Sequence, residues 1–253
     1  MKVVTWNVNS LTARWARVEG WLREHSPDVV LVQETKQTDA KFPANELTAL
    51  GYESAHYGQG QWNGVAIFSK VGIADVMRGF GDEDPEARII GATCGGLRVY
   101  SCYIPNGRAL DDPHYTYKLA WLAKLRDLLA ARDPGQHVVV GGDFNVTPAD
   151  LDVYDPAQFI GATHVSEPER AALRALEATG LTDLTRALHP ELPSYSWWDY
   201  RNGAFHRGWG LRIDLLYVDA GLLALATDSY VDRDARKGEK PSDHAPVVGE
   251  FSL

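Results

Sequence analysis

The chain has 253 residues, 45% of them hydrophobic and 23% charged, with a formal net charge of −9. This is globular composition with enough apolar residues for a sizeable core; no apolar run is long enough for a membrane span, and the acidic balance argues against a protein that coats nucleic acid nonspecifically. The only cysteines, Cys94 and Cys102, exclude a disulfide framework and fit buried thiols in a reducing compartment.

The chain opens directly on a strand pattern, Val3–Val8, with no apolar leader or small-residue cleavage site, so a cytoplasmic protein without a signal peptide is expected. Leu11–Glu24 has apolar residues at helical spacing and ends before Ser26-Pro27. Short β-branched or aromatic runs then predict strands at Val29–Gln33, Tyr52–Tyr57, Gly64–Ser69, Arg88–Ala92 and Leu97–Tyr103. Tyr117–Ala131 reads as a helix with Leu119, Leu122, Leu125 and Leu129 on one face, stopped by the turn signal Asp133-Pro134-Gly135. A strand at His137–Gly141 follows, then a helix at Glu167–Ala178 with Gly180 as a C-cap signal, and strands at Ile213–Val218 and Val247–Phe251. Short connections favour antiparallel hairpins in mixed sheets. The fold class expected is α/β, a single domain over residues 1–253 with two sheets packed face to face and helices outside.

Polar groups with chemical potential cluster where these strands end. Gly142-Asp143-Phe144-Asn145 follows an apolar strand; its carboxylate can take a proton or hold a hard cation, and its amide can donate to a phosphoryl oxygen. A helix cap and a turn are the plain structural alternatives. Asn7 and Asn9, Gln33-Glu34-Thr35-Lys36, Tyr103-Ile104-Pro105-Asn106, Arg212-Ile213-Asp214 and Ser242-Asp243-His244 flank other strands in the same way. Taken singly, Glu34 reads as a solvated acid, Asn7 as a cap for the Leu11 helix, Tyr103 as a core aromatic, and Asp214 as a partner of Arg212. Their shared placement at strand ends argues for one site. The cations near these segments, Lys36, Lys70, Arg108, Lys118, Arg201, Arg207, Arg212, Lys237 and Lys240, each read as solvated surface charges.

In these segments the chain resembles the exonuclease III family of abasic-site endonucleases, within the wider DNase I-like endonuclease/exonuclease/phosphatase group. The matching pieces are Trp6-Asn7-Val8-Asn9, Leu31–Lys36, Asn63–Ile67, Tyr103–Gly107, Gly142–Asn145, Ser196–Arg201, Gly210–Asp214 and Ser242–Pro246, in the family order over nearly the whole chain. The resemblance implies a four-layered α/β sandwich with two mixed, mostly antiparallel sheets. It implies Mg²⁺-dependent hydrolysis of the phosphodiester 5′ to an abasic site, leaving a 3′-hydroxyl and a 5′-deoxyribose phosphate, with 3′→5′ exonuclease and 3′-end-cleaning activities; Mn²⁺ could substitute. The implied partner is double-stranded DNA with abasic sites or 3′-blocked ends, bound by a monomer.

By the same resemblance Asp143 orients and deprotonates water, Asn145 donates to phosphate oxygens, and Asp214 holds His244 against the phosphate. Tyr103 bonds a phosphate oxygen or assists the leaving group, and Asn7 belongs to the catalytic set. Metal ligation is implied for Glu34, with Asn7, Asp243, Asp143, Asn145 and His244 around the ion. DNA contacts are implied for Asn106, Arg108, Lys36 and Arg212, with Trp197, Leu211 and Ile213 walling a pocket for the baseless sugar. Two stretches depart from the family pattern: His206–Gly210 lacks an asparagine common before Gly-Leu-Arg-Ile-Asp, and Thr163–Arg170 keeps the helix-opening Glu169-Arg170 but lacks a usual phenylalanine. Both bear on substrate preference. The rival within the fold is a nonspecific nuclease or a phosphatase; such relatives carry a histidine near where Tyr103 stands.

Overall fold

The computed structural model describes residues 1–253. The strands are β1 (Lys2–Asn7), β2 (Val29–Gln33), β3 (Glu53–Tyr57), β4 (Val65–Ser69), β5 (Ala74–Arg78), β6 (Ile89–Cys94) and β7 (Leu97–Tyr103), followed by β8 (Val138–Asp143), β9 (Leu181–Asp183), β10 (Trp197–Trp198), β11 (Gly210–Leu211), β12 (Asp214–Asp219), β13 (Ala226–Val231) and β14 (Val247–Phe251). The main helices are α1 (Leu11–His25), α2 (Ala44–Ala49), α3 (Pro113–Ala130) and α4 (Glu167–Glu177). One six-stranded sheet has the order β13-β14-β1-β2-β4-β3 and the other β5-β6-β7-β8-β12-β9. Neighbours are antiparallel except β1 with β2 and β7 with β8, so the mixed, mostly antiparallel expectation holds.

Three apolar layers hold the four-layered stack. Leu31, Ile67, Val99, Val139, Leu216 and Val247 meet between the sheets. Trp6, Leu22, Val30 and Phe68 pack the first sheet against α1, while Trp121, Leu125, Val140 and Leu173 pack the second against α3 and α4. Burying both faces explains why β2, β4 and β8 are continuous β-branched or apolar runs. Cys94 and Cys102 are free, buried thiols in β6 and β7. No helix is long and apolar enough to cross a membrane.

Several elements escaped sequence reading. β5 and β13 are edge strands with mostly half-exposed or exposed residues, so neither alternates clearly. β9 is three residues long and α2 only six. α3 begins at Pro113 rather than Tyr117, because Asp112 caps it and proline occupies the first turn, where no N–H is needed. The cap of α1 is Ser10, whose Oγ accepts from Ala13 N, and not Asn7.

The register aligns the polar ends. Tyr103 and Asp214 both pair with Asp143 across β8, and Asn7 pairs with Gln33, one residue before Glu34. Gly142 makes this convergence possible: a Cβ there would lie 1.9 Å from the carbonyl oxygen of Cys102. Gly142→Ala is therefore expected to force β7 and β8 apart and cost about 1–3 kcal/mol or more, read as a lower urea midpoint at unchanged m-value.

Candidate active site

Asn7, Glu34, Tyr103, Asp143, Asp214 and His244 come together at one edge of the sandwich. They line, with Asn106, Asn145, His164, Trp197, Leu211, Ile213 and Asp243, or directly support, a cleft of about 190 Å³. A larger cleft of about 580 Å³ under α1 contains none of these carboxylates.

Glu34, Asp143 and His244 offer ligand-bearing atoms that all lie within 4.8 Å of one another. Asn7 sits between the acids, its Nδ2 donating to Glu34 Oε1 at 2.8 Å and to Asp143 Oδ2 at 2.9 Å. Asp143 Oδ1 accepts from the Asn145 backbone N at 2.9 Å, so the turn alternative is real but serves to aim the carboxylate. Burial, then the charges of Asp214 and Glu34, push Asp143 up to about 7, against the pull of His244. Burial alone would push the His244 ring down, but Asp214, Asp143 and Asp243 outweigh it and hold the ring at about 10. Its Nδ1 donates to Asp214 Oδ2 at 2.9 Å, and its Nε2 lies 3.7 Å from Asp143 Oδ2. Asp214 thus pairs with His244 and not with Arg212.

The ligand-bearing atoms of Glu34, Asp143 and His244 converge on one point of the cleft; as an imidazolium the His244 ring would have to shed a proton before it could ligate a metal there. Two carboxylates in close approach do suit a hard divalent cation, and Lys36 Nζ, 2.7 Å from Glu34 Oε2, occupies the neighbouring electrostatic niche. Asp243 stands outside the compact set, held low by His244 and by hydrogen bonds, against the upward push of burial. Trp197 Nε1 donates to its Oδ2 at 3.0 Å and Asn9 Nδ2 to its Oδ1 at 2.9 Å.

Burial, then Glu34 and Asp143, drive Tyr103 well above the usual phenol value, leaving a neutral hydroxyl able to donate. The Arg88 guanidinium stacks 4.8 Å over its ring. Asn145 adopts a left-handed backbone, φ 51°, and its Nδ2 donates to Ile104 O at 3.0 Å, leaving one amide hydrogen free. Glu34 and Lys36 are left-handed as well, with φ 53° and 51°; such strain in non-glycine residues concentrates at working sites.

The proposed DNA contacts separate into three groups. Asn106 donates to Asn145 Oδ1 at 3.2 Å, and Arg108 is exposed with its nearest carboxylate, Asp112, at 4.0 Å. Trp197, Leu211 and Ile213 form the cleft wall, with Trp197 paired to Leu211 across β10 and β11. Lys36 turns inward onto Glu34 and Asn9, the latter at 2.6 Å. Arg212 is a correction: it is fully buried, gripping Asp152 at 2.6 Å and Asp183 at 2.8 Å, where no DNA can reach it. Lys118 is likewise not a surface charge but is completely buried beside Glu169.

His164 was missed. It lies in the departing stretch 163–170 and is half-buried, left-handed at φ 77°, and part of the cleft wall with Trp197 and Leu211. Burial and then the Lys118 charge hold it down at about 4, so the ring is neutral. Because a carbonyl only accepts, its Nδ1 donates to Asn145 O, which leaves Nε2 as an acceptor. The one available signal was that departure from the family pattern.

The comparisons with known proteins agree with this geometry. The endonuclease/exonuclease/phosphatase family matches residues 4–244, and the chain belongs to that family. Exodeoxyribonuclease III of Haemophilus influenzae is 34% identical over 99% of this chain and 100% of its own length. A 3′ phosphatase from Neisseria, solved with a product DNA hairpin, is 42% identical with a TM-score of 0.98, and coverage is 100% of both chains. An AP endonuclease from Archaeoglobus fulgidus is 37% identical with a TM-score of 0.97, again over 100% of each chain. The protein is a nuclease of the DNA-repair branch that these relatives define, with the DNase I-like sandwich expected from its sequence.

The His244–Asp214 pair sets a stability window. Its raised folded value means the stabilisation is fully present below the unfolded value, near 6.5, and is lost as pH rises through about 10. Asp214→Asn should cost about 3–5 kcal/mol at pH 6.5 by stranding a buried charge. Thermal melts of metal-free protein from pH 6 to 10 should fall for the wild type and stay flatter for the variant.

Proposed function

We propose that this protein is a Mg²⁺-dependent phosphoesterase of DNA base-excision repair, with Mn²⁺ able to substitute, and that residues 1–253 work as one catalytic domain. It would act as a monomer on double-stranded DNA in the cytoplasm, associated with the nucleoid through its substrate. The observation that carries this reading is the juxtaposition, in one cleft, of a base poised near neutrality (Asp143), an imidazolium (His244) and a metal-competent carboxylate (Glu34). When bound, the cation would neutralise phosphate charge beside Glu34, with Asp143 at hand and Asn7 holding both acids in place.

Asp143 takes the proton of the attacking water, its two oxygens oriented by Asn145 N and Asn7 Nδ2. His244 donates from Nε2 to a non-bridging oxygen, with Asp214 fixing ring orientation and charge. The free amide hydrogen of Asn145 supports the same accumulating charge. The neutral Tyr103 hydroxyl donates to a phosphate oxygen or to the leaving oxygen. Arg108 reaches outward towards the duplex, and Trp197, Leu211 and Ile213 face the sugar next to the scissile bond.

The substrate follows from the wall of the cleft. Incision 5′ to an abasic site needs a pocket that accepts the everted sugar, and Trp197, Leu211 and Ile213 supply one. A second reading, removal of phosphate or nucleotides from 3′ ends, is favoured by His164, whose ring adds a polar group to the wall formed by Trp197 and Leu211. The named activity of the Neisseria relative points the same way.

Rates on three duplexes decide between them: one with a tetrahydrofuran site, one with a 3′-phosphate, and one undamaged. Hydrolysis of the first two should require Mg²⁺ or Mn²⁺ and stop with EDTA. No hydrolysis with either ion would sink the enzyme reading, while equal cutting within undamaged DNA would favour the nonspecific nuclease. Asp143→Asn should lower the rate about 10²–10⁴-fold with DNA binding retained; unaltered turnover would move the base elsewhere. His164→Gly, which removes the ring at a backbone conformation glycine favours, should raise abasic incision relative to 3′-phosphate removal by about tenfold or more.

A further inference from the structure

Behind the cleft lies an ion pair that the proposed chemistry leaves unused. Lys118 of α3 and Glu169 of α4 are in contact, and both side chains are completely buried. The ammonium donates to the backbone carbonyl of Asn145 at 2.6 Å and to that of Asn106 at 3.2 Å. Glu169 accepts from Thr163 Oγ1 at 2.7 Å, His164 N at 3.0 Å and Ser166 Oγ at 2.6 Å. The Asn145 carbonyl is shared, since the His164 ring donates to it too.

One buried charge pair therefore ties three loops together: those carrying Asn106, Asn145 and His164. The packing leaves little slack. A Cβ on Gly107 would meet Thr163 Oγ1 at 2.9 Å and Lys118 Cδ at 3.1 Å. Burying two charges is a poor way to gain stability, because apolar residues of similar volume do as well or better. What the pair offers instead is direction, since an ammonium aimed at two carbonyls fixes the left-handed turn at Asn145 that presents its amide to the cleft.

Resting on the phosphoesterase reading above, we propose that Lys118 and Glu169 are positioning residues for the phosphate-facing amides of Asn145 and Asn106. They act through the backbone and touch no substrate. Neutralising both together, as Lys118→Met with Glu169→Gln, avoids a stranded charge and keeps an acceptor for Thr163 and His164.

Misplaced amides should lower kcat on a 3′-phosphate duplex about 100-fold, with KM changed less than about threefold. Amide exchange in residues 104–109 and 144–147 should speed up while the sheets stay protected. Leu22→Ala in the distant α1 core serves as a control matched for loss of Tm and should keep its kcat. Retained kcat in the double variant, or an equal loss of kcat in the Leu22 control, would overturn the proposal. So would unchanged exchange in the two loops, a readout that decides the point even if the wild type removed no phosphate; that failure would instead strike the phosphoesterase reading.

Discussion

Like charges brought close together at one buried edge govern this structure. Strand ends from both sheets deliver Glu34, Asp143, Asp214 and Asp243 to one edge, where low dielectric makes their repulsion costly. The chain answers with His244, pinned by Asp214, and with Lys36, pinned by Glu34 and Asn9. Neither cation is placed for solubility; each is a counterweight. The left-handed backbone at Glu34, Lys36 and Asn145 shows that local strain is tolerated so that these side chains can converge. Such an arrangement persists only on a rigid frame, which the two doubly covered sheets supply.

Much of that frame could be read from the chain itself. β2, β4 and β8 are short, β-branched or apolar and bounded by polar clusters, so their ends, and with them Glu34, Asp143 and Asn145, stood out. The edge strands β5 and β13 did not, because residues on both of their faces are exposed or half-exposed, which leaves no buried face to alternate with a polar one. Pairings across long sequence separations were equally invisible. Arg212 looked like a DNA contact beside Ile213 and Asp214, but Asp152 and Asp183, contributed by other segments, pull its guanidinium inside. Lys118 was misread for the same reason: its acceptors lie 12, 27 and 51 residues away. His164 belongs to no periodic element, so only its three-dimensional setting reveals it as part of the cleft wall.

The relatives sharpen the division of labour. Proteins named as an exodeoxyribonuclease, a 3′ phosphatase and an AP endonuclease all share this architecture at 34–42% identity. One architecture thus carries several named activities, so the fold alone does not set which DNA end or lesion is processed. In this chain one side of the cleft combines apolar surfaces from Trp197, Leu211 and Ile213 with a neutral imidazole from His164, facing the acidic groups Glu34, Asp143 and Asp243.

The pairing of β14 with β1 carries a consequence for how the enzyme comes into being. Lys2 lies opposite Glu250 and Thr5 opposite Val247, so the first strand made is completed by one of the last. Asp243 and His244 arrive just ahead of that closing strand. A ribosome-bound chain that has not yet released β14 thus lacks both the partner of β1 and the imidazolium of the cleft. Closure over so long a separation is slow compared with local folding. Completion of the first sheet, and of the edge that carries Asp243 and His244, therefore waits on pairing between segments about 240 residues apart.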